Sequence, residues 1–539
     1  MDALERGEAA LATGDLEQAE FYLSAAEPRL PAGERQRLRE ARQRLTALRS
    51  DPASLVLAEA AATLEAGEPD TAAAVELLQR LERVPGKRLA LEAQRTTRLG
   101  PWCAFALDVR DTLVRRRDLL QAAADWSTRH PLHPVDPPRY LEIAWQYGQR
   151  FAPPDRVAVL LPKTGNLTAT GAAVRDGLVS AWLDGPTRSE LVFFDAGETA
   201  ADALAAYRQV QGEGFPWVIG PLRREAVALI LEQPGAAVPG LLLNEPVTEV
   251  PATPFEPTTA SAPTAAETDF RFLSLSQEAE ARAVAERMLA AGHRQAILLL
   301  ADDRWGERAE GAFMDAYLAG GGEIVSLERF DAGNADHSDR LTRLLQIQDG
   351  RDRRRRLQSL LNIQLEYEDS RRDDFEAFFM AADPSLGRQL KPQLRFFDAG
   401  EKPVYAMSRV YSGRVDPSVD DDLNGVIIPA TRWALSRVEA RAEQGGEDGD
   451  EELTSLRGGA FGKLHALGRD AWNVLPWLDL MARDPNFAFP GALGDLTLGP
   501  GGRLRIAPAW AVFRRGRLAA LEPPAPPVQA AVPAVSAAP

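Results

Sequence analysis

The stretch RVAVLLPKTGNLTATGAAVRDGLVSAW, residues 156–182, carries three local signals that together predict the fold of the larger part of the chain. Val157 to Leu161 is an uninterrupted apolar run, which is typical of a strand buried on both faces of a parallel sheet. Gly165 marks a turn, and a helical pattern follows from about Thr170 to Trp182. A strand, a turn and a helix in this order predict one βα unit.

Similar units continue on both sides of a segment rich in Pro, Thr and Ala, VTEVPATPFEPTTASAPTAAET, residues 247–268. Before it, ELVFFD, PWVIGPL and GLLLNE read as strands separated by helical segments. After it, a second series includes FEAFFMAA, PVYAMS and LNGVIIP. Repeated βα units of this length predict parallel sheets covered by helices, and the interruption predicts a linker between two similar lobes.

The first 150 residues have a helical pattern throughout. GEAALATGDLEQAEFYLSAAEP combines small residues, a turn at Gly14 and Asp15, and a second apolar helix; LAEAAATLEAGEPDTAAAVELLQRL is a weaker copy. Small residues at such positions let paired helices approach closely, as in tetratricopeptide-type repeats. We therefore expect TPR-like helical hairpins, with a plain helical bundle as the alternative.

The expected fold class is thus α/β, with a two-lobed body that follows an all-α, TPR-like helical domain. The helical domain is expected at 1–150, the body at 151–520 and a disordered Pro/Ala tail at 521–539. Within the body we expect lobe 1 at about 155–246, the linker at 247–268, and lobe 2 at about 269–430, with exchange between the lobes near the C-terminal segments.

Composition excludes several classes of protein. The 539 residues include 62 Lys and Arg against 78 Asp and Glu, a formal charge of −16, which disfavours a nucleic-acid reader because phosphate contacts need a basic face. No apolar run is long enough to span a membrane as a helix. Cys103 is the single cysteine, so the chain forms no internal disulfide.

Motifs for common chemistry are missing or broken. Gly165 and Gly171 are six residues apart and Ala172 follows, so the phosphate loop GxxxxGK[ST] fails, and the GxGxxG fingerprint fails as well. The close histidine pair, His130 and His133, has flanking prolines and no neighbouring ligand cluster of the kind that zinc requires. No GxSxG elbow occurs. We predict no metal, no cofactor and no catalytic residue.

Ligands of doubly wound sheets usually sit at the carboxyl ends of the strands. Loops at such ends fall at 163–170, 220–223, 244–245, 302–305 and 405–408. Each of their residues also has a purely structural interpretation, as a turn or a helix cap. The candidate cleft residues are Lys163, Thr164, Gly165, Thr170, Asn244, Asp302, Trp305, Tyr405 and Ser408.

An arginine-rich segment lies within 338–376, which reads as one long helix or two shorter ones. Arginines are favoured at protein interfaces, so this segment is a candidate partner surface. Acidic residues lie close by, and a solvated helix face is the other interpretation. The arginines concerned are Arg351, Arg353, Arg354, Arg355 and Arg356.

The opening stretch is similar to the first strand and helix of type I periplasmic binding proteins. It most resembles the branch formed by the penicillin-binding protein activators, the LppC family of lipoproteins. FFMAADPSLGRQLKPQLRFFDAGEKPVYAMSRVYSG, DDLNGVIIPATRW, LHALGRDAWNVLPWL and GALGDLTLGPGGRLRIAPAWAVFRRGRL resemble later parts of the same family, in the same order. The resemblance covers residues 156 to about 518.

This resemblance implies a non-catalytic regulator of peptidoglycan synthesis. Its implied partner is a bifunctional class A penicillin-binding protein, whose transpeptidase it stimulates from the periplasm. Members of this family begin with a signal peptide and a lipid-modified cysteine, and the lipid anchors them to the outer membrane. The beginning of this sequence shows neither feature, and the resemblance implies that the full-length form carries them.

The rival hypothesis is a periplasmic solute receptor that closes its two lobes on an amino acid, a peptide or a muropeptide. Such a receptor needs polar groups that converge in the cleft. Lys163, Thr164, Asp302 and Tyr405 are candidates for that role, although KTG followed by NLTATG defines no carboxylate clamp. A cleft closed by side chains favours the activator, and an open polar cleft favours the receptor. A hydrolase is a third, weaker hypothesis.

Overall fold

The computed structural model of the chain describes residues 3–13, 16–26, 35–185, 189–233, 238–246, 269–361, 371–414, 416–436 and 459–521. The expected linker at 247–268 and residues 522–539 of the expected tail lie outside the described residues.

The described residues between Ala3 and Gly148 are mostly helical. Aspartates stand at the N-caps of several of these helices, where the carboxylate accepts a backbone N–H of the first turn, as Asp70 does from Ala73 at 2.8 Å. Trp102, Phe105 and Trp126 form part of the core of these helices. The helices are α1 Ala3–Thr13, α2 Leu16–Ala26, α3 Arg35–Ser50, α4 Pro52–Glu65, α5 Thr71–Leu81, α6 Gly86–Ala93, α7 Leu99–Val114, α8 Leu119–Arg129 and α9 Pro137–Gly148.

The body alternates strands and helices from Arg156 onward. Its strands are β1 Arg156–Leu161, β2 Glu190–Asp195, β3 Val218–Ile219, β4 Gly240–Leu242, β5 Phe270–Leu273, β6 Gln295–Ala301, β7 Glu323–Phe330, β8 Ala377–Ala381, β9 Val404–Ala406, β10 Val426–Ala430, β11 Phe489–Pro490, β12 Gly494–Leu498, β13 Arg503–Arg514 and β14 Arg517–Leu521. Its helices are α10 Thr168–Leu183, α11 Ala200–Gly212, α12 Arg224–Leu231, α13 Gln277–Ala290, α14 Arg304–Ala319, α15 Ser338–Leu344, α16 Ile347–Leu361, α17 Pro384–Phe396, α18 Pro417–Asp420, α19 Gly459–Asn473 and α20 Leu478–Arg483.

Two parallel sheets form the two lobes. Lobe 1 has the strand order β2-β1-β3-β4-β5, and lobe 2 has the order β10-β9-β8-β6-β7. The register of β1 on β2 pairs Val157 with Leu191. Helices cover both faces of each sheet, so the central strands are fully buried, as the apolar run of β1 predicts.

Strand β13 belongs to both lobes. Its first residues pair parallel with β5 and antiparallel with β12 of lobe 1, and residues 509–512 pair antiparallel with β10 of lobe 2. The hairpin partner β14 closes this end of the chain against β13. The expected fold class, a two-lobed α/β body preceded by helical hairpins, is confirmed.

Helix α19 returns from lobe 2 and packs on α10 of lobe 1 through backbone contact. A Cβ atom on Gly177 would lie 1.9 Å from the carbonyl oxygen of His465, and one on Gly468 would lie 2.0 Å from that of Val174. Only glycine permits this approach. The two glycines therefore fix the position of α19 in lobe 1.

The helical part meets lobe 1 at a contact that we call the joint, formed by Gly86, Val114, Phe151, Trp477 and Asp484. The Phe151 and Trp477 rings stack at 4.2 Å with an interplanar angle of 14°. Val114 is part of the core of lobe 1. The Gly86 N–H donates to the carboxylate of the buried Asp484 at 2.7 Å. The joint therefore continues the apolar core from one part into the other.

Candidate functional site at the interlobe cleft

The loop after β1 lies at the carboxyl end of the lobe 1 sheet, and its polar groups are bound to neighbouring strands. The Lys163 N–H donates to Asp195 at 2.8 Å, and Lys163 Nζ donates to the Phe193 carbonyl at 2.8 Å. The Thr164 hydroxyl donates to the second Asp195 oxygen at 3.0 Å. Burial raises the pKa of Asp195, but the hydrogen bonds from the Lys163 and Gly197 N–H groups and from Thr164 outweigh burial, so the pKa lies below its usual value.

The turn that follows is shaped by Gly165, whose φ of +79° lies in the region that favours glycine. Asn166, next in the chain, accepts a hydrogen bond from Arg223 Nη2 at 2.8 Å. Thr170 lies in the first turn of α10 and is half-buried. The loops after β1 and β3 are thereby tied together at one edge.

Asn244 and Glu245 follow β4 at the same edge. Asn244 accepts from Arg224 Nε at 3.1 Å and donates to the Leu222 carbonyl at 2.9 Å. Glu245 accepts from the Ser274 hydroxyl at 2.9 Å and forms an ion pair with Arg503 at 3.1 Å. The polar groups of this loop are therefore used to hold segments of lobe 1.

The facing edge of lobe 2 carries Asp302 and Trp305. Asp302 is exposed after β6, and its neighbour Asp303 caps α14 by accepting the Gly306 N–H at 2.7 Å. The Arg409 guanidinium covers the Trp305 ring at 4.6 Å from its centroid, a cation–π contact. Of these side chains, Asp302 remains open to solvent.

Tyr405 lies within β9 and is 4% exposed, in the core between the lobe 2 sheet and helices α13 and α14. Burial raises its pKa, and the charge of Arg287 acts in the opposite direction. The structure thus places Tyr405 inside lobe 2, whereas Ser408, three residues later, lies at the cleft.

Ser408 takes part in a contact between the lobes that we call the latch, formed by Glu280, Ser408 and Lys463. Glu280, in the first turn of α13 of lobe 2, accepts the Ser408 N–H at 2.7 Å and the Ser408 hydroxyl at 2.8 Å. Lys463, on α19 of lobe 1, pairs with Glu280 at 2.8 Å and also contacts the Ser408 hydroxyl. The latch therefore joins one lobe to the other.

Glu280 of the latch is charged at neutral pH. Burial raises the pKa of Glu280, but the Lys463 ammonium and the hydrogen bonds from Lys463 and Ser408 outweigh burial, so the pKa lies below its ordinary value. The side chains of Lys463 and Glu280 are 32% and 20% exposed. Water reaches this ion pair, so its opening does not strand a charge in a dry interior.

A second charge contact lies beside the latch. Burial raises the pKa of Glu278. Its own backbone N–H, the Ser276 hydroxyl and the charges of Arg308 and Arg224 outweigh burial, so the pKa lies below its usual value. Arg308 pairs with Glu278 at 3.6 Å within lobe 2. Arg224 belongs to lobe 1, so a charge on one lobe acts on a carboxylate of the other.

Glu280 and Lys463 were not among the residues expected at the cleft. They lie 183 positions apart, and each sits in an ordinary helical pattern. One signal was available: Lys463 is one of only five lysines among 62 basic residues. Which carboxylate such a lysine pairs with depends on how the chain crosses between the lobes. No local sequence pattern shows those crossings.

The arginines of the candidate partner surface lie on α16, far from the latch in the chain. This helix buries only Ile347 among its described side chains. Arg353 and Arg356 are exposed, and Arg355 pairs with Asp352 at 2.5 Å. Leu360 is 80% exposed on the same helix. Basic and apolar groups thus share one accessible helix.

Two features of other kinds of protein are missing from the described residues. These residues contain no group of three or more His, Cys, Asp and Glu side chains placed to hold a metal ion. They also contain no helix both long enough and apolar enough to pass through a bilayer.

Comparison with known proteins places this architecture among relatives. The family model described as LppC putative lipoprotein matches residues 29–516. The penicillin-binding protein activator LpoA of Photobacterium profundum is 27% identical over 432 residues, which cover 77% of this chain and 65% of that protein. The LpoA of Aliivibrio fischeri is 26% identical over 426 residues, which cover 77% and 66%. The chain thus matches somewhat less than two thirds of the length of these relatives.

Solved structures agree with the fold. A monoclinic crystal form of Haemophilus influenzae LpoA aligns with a TM-score of 0.50 at 17% identity, over 96% of this chain and 87% of that chain. At this identity the likeness concerns the fold alone.

Proposed function

The chain belongs to the LppC putative lipoprotein family, and from that premise we propose that it is a non-catalytic regulator of peptidoglycan synthesis. It binds a bifunctional class A penicillin-binding protein and stimulates its transpeptidase. The observation that carries this proposal is the family match over residues 29–516, together with relatives that bear the name penicillin-binding protein activator.

The state of the cleft supports a regulator over the rival solute receptor. A receptor needs free polar groups that can exchange their partners for a ligand. Lys163, Thr164 and Asn244 already bind groups of lobe 1, and Ser408 is held in the latch. A solute that used these groups would have to break contacts that stabilise the fold.

Stimulation without catalysis requires that the chain bind two states of its partner with different affinity. We place the contact on α16, which presents Arg353, Arg356 and Leu360 to solvent. A partner surface with carboxylates beside an apolar groove matches this helix in charge and polarity. The helical part serves as a spacer or as a second contact.

The same premise gives the location. We propose that the full-length protein is periplasmic and is anchored to the outer membrane by a lipid on an N-terminal cysteine. Metabolic labelling of the full-length protein with a fatty-acid analogue tests this directly: label that fractionates with the outer membrane supports the anchor, and unlabelled protein contradicts it.

The test of function is binding of the purified chain to the class A penicillin-binding proteins of the same organism, with crosslinking of their lipid II product followed in parallel. Saturable binding with increased crosslinking supports the activator. Binding to none of them, with unchanged crosslinking, contradicts it and directs the search to a ligand screen.

A double variant tests whether α16 is the docking surface. R353E/R356E should weaken binding at least tenfold, because two favourable charges become repulsive at the contact. The matched control is R98E/R282E, which reverses two exposed arginines outside α16. Equal weakening in both variants would remove α16 as the docking surface while leaving the activator hypothesis in place.

A further inference from the structure

A cavity of about 660 Å³ lies beside the joint, where the helical part meets lobe 1. Its walls come from α5 and the residues just after it, from the short 3-10 helix Gln149–Phe151 that follows α9, and from the end of α20. It is lined by Glu76, Gln79, Arg80, Arg83, Arg150 and Arg483. The size is that of a site for a small organic molecule.

Two of the four arginines neutralise a buried carboxylate behind the cavity wall. Glu82, 4% exposed, accepts from Arg150 Nε at 3.3 Å and pairs with Arg483 at 3.5 Å. A buried carboxylate requires such partners. One negative charge thereby meets two positive charges.

The other two arginines add positive charge without a matching acid. Arg80 donates to the Thr63 hydroxyl at 3.0 Å, a neutral partner. Within the described part of the chain the exposed Arg83 guanidinium forms no hydrogen bond and no ion pair. Glu76 is the single acid in the lining. Four guanidinium groups against Glu76 and Glu82 leave two positive charges in surplus.

This surplus stands out because the chain as a whole carries a formal charge of −16. The net charge of the chain therefore repels anions at long range, and a concave cationic site concentrates them locally. Guanidinium groups pair carboxylate and phosphate oxygens in a two-pronged geometry and are weakly hydrated, so they suit a concave anion site.

We propose that this cavity is a binding site for a small anion with two or more carboxylate or phosphate groups. Arg80 and Arg83 contact the ligand directly, while Arg150 and Arg483 hold Glu82 and add to the positive field. The site is separate from the latch and from α16, so this proposal stands independently of the proposed function.

The test is isothermal titration calorimetry on the whole chain at low salt, with two probes, the tricarboxylate citrate and inorganic pyrophosphate. We expect saturable binding of at least one probe at one site, weakened by added salt. Tighter binding of citrate would assign a carboxylate ligand, and tighter binding of pyrophosphate a phosphate ligand. Absence of saturable binding of both probes would overturn the proposal.

Variants of the cavity arginines test whether the probe anion binds in this cavity. R83Q should weaken binding about tenfold, the effect of one lost charge-assisted hydrogen bond, and R80Q/R83Q should abolish it. R83Q removes no intrachain contact, so its thermal midpoint should equal that of the unsubstituted chain. The matched control is R98Q, an exposed arginine of the helical part outside the cavity. Weakening in R98Q equal to that in R83Q would overturn the proposal, because binding would then reflect general charge.

Discussion

The joint and the latch connect neighbouring parts of the same chain by opposite means. The joint stacks Phe151 on Trp477 and inserts Val114 into the core of lobe 1. The latch pairs Lys463 with Glu280 where water reaches both side chains. Separation of the joint exposes apolar surface to water, whereas opening of the latch exchanges one set of polar contacts for hydration.

The difference indicates which parts of the molecule move together. The helical part and lobe 1 share an apolar contact at the joint, so we expect them to move together. Lobe 2 is joined to lobe 1 by the shared strand β13, and across the cleft the latch adds a polar contact that costs little to open. In the proposed activator, a partner can therefore change the angle between the lobes without disturbing the helical part.

The largest expected effect concerns the helix that carries Lys463. In G177A the new Cβ would meet the His465 carbonyl oxygen at 1.9 Å, so α19 must move away from α10. We expect a loss of about 3 kcal/mol in the free energy of unfolding, measured by chemical denaturation. G212A is the matched control, because nothing lies within 4 Å of its Cβ position. Equal stabilities of the two variants would contradict the close packing.

The second-largest expected loss of stability comes from a substitution that breaks the joint. F151A removes the ring that stacks on Trp477, and we expect a loss of about 2–3 kcal/mol with separate calorimetric transitions for the helical part and the body. Phe396, 82% exposed, gives the control: F396A should change stability by less than about 0.5 kcal/mol. If F151A unfolds in the same transition and at the same midpoint as F396A, the joint does not couple the two parts.

Lowering the pH should weaken the helical part and the latch at different pH values, because a histidine titrates in the first and a glutamate in the second. Burial lowers the pKa of His133, in the helical part, to about 4, and the charges of His130 and Arg139 add to this effect. A folded-state pKa below the unfolded value of 6.5 gives stability that is present above pH 6.5 and is lost as pH falls through about 4. The shift corresponds to about 3 kcal/mol by linkage, and because His133 is partly exposed to solvent we expect the helical part to lose about 2 kcal/mol over this range.

The variant H133F should flatten that pH profile, as followed by the thermal midpoint of the helical part. The latch responds at lower pH than His133 does. The pKa of Glu280 lies below its ordinary value of 4.5, so the stabilising charge of Glu280 is present above pH 4.5 and is lost as the pH falls below that value. An unchanged profile in H133F would show that another group causes the acid response.

The smallest expected effect on stability comes from the latch itself. E280Q removes the charge but keeps the shape, and we expect a cost of about 1 kcal/mol, because the ion pair is partly exposed. E225Q, at an exposed position of lobe 1, is the control and should match the unsubstituted chain. A loss above about 3 kcal/mol would mean that the latch behaves as a buried ion pair and not as a contact that opens at little cost.

Much of the fold could be predicted because each element carries its own signal. The apolar run at Val157 to Leu161 identifies β1, and the arginine-rich segment resolves into α15 and α16, one of the two readings of its pattern. Strand β13 shows the limit. Its twelve residues serve both lobes, and a strand's sequence does not state how many sheets it joins.

The candidate site was predictable in part for the same reason. Lys163, Asn244 and Ser408 follow buried strands, and parallel geometry brings such loops to one edge. Tyr405 shares the apolar pattern of β9 and lies in the core of lobe 2. The partnership of Glu280 with Lys463 depends on how the chain crosses between the lobes, so it is a property of the assembled fold.

The most direct test of this account measures distances between spin labels on the whole chain, with and without the latch. One label pair, at Arg98 and Glu213, spans the joint; the other, at Glu213 and Leu318, spans the cleft; all three positions are exposed. In E280Q/K463M we predict a longer and broader distance distribution across the cleft and an unchanged distribution across the joint. A change across the joint, or none across the cleft, would contradict the account.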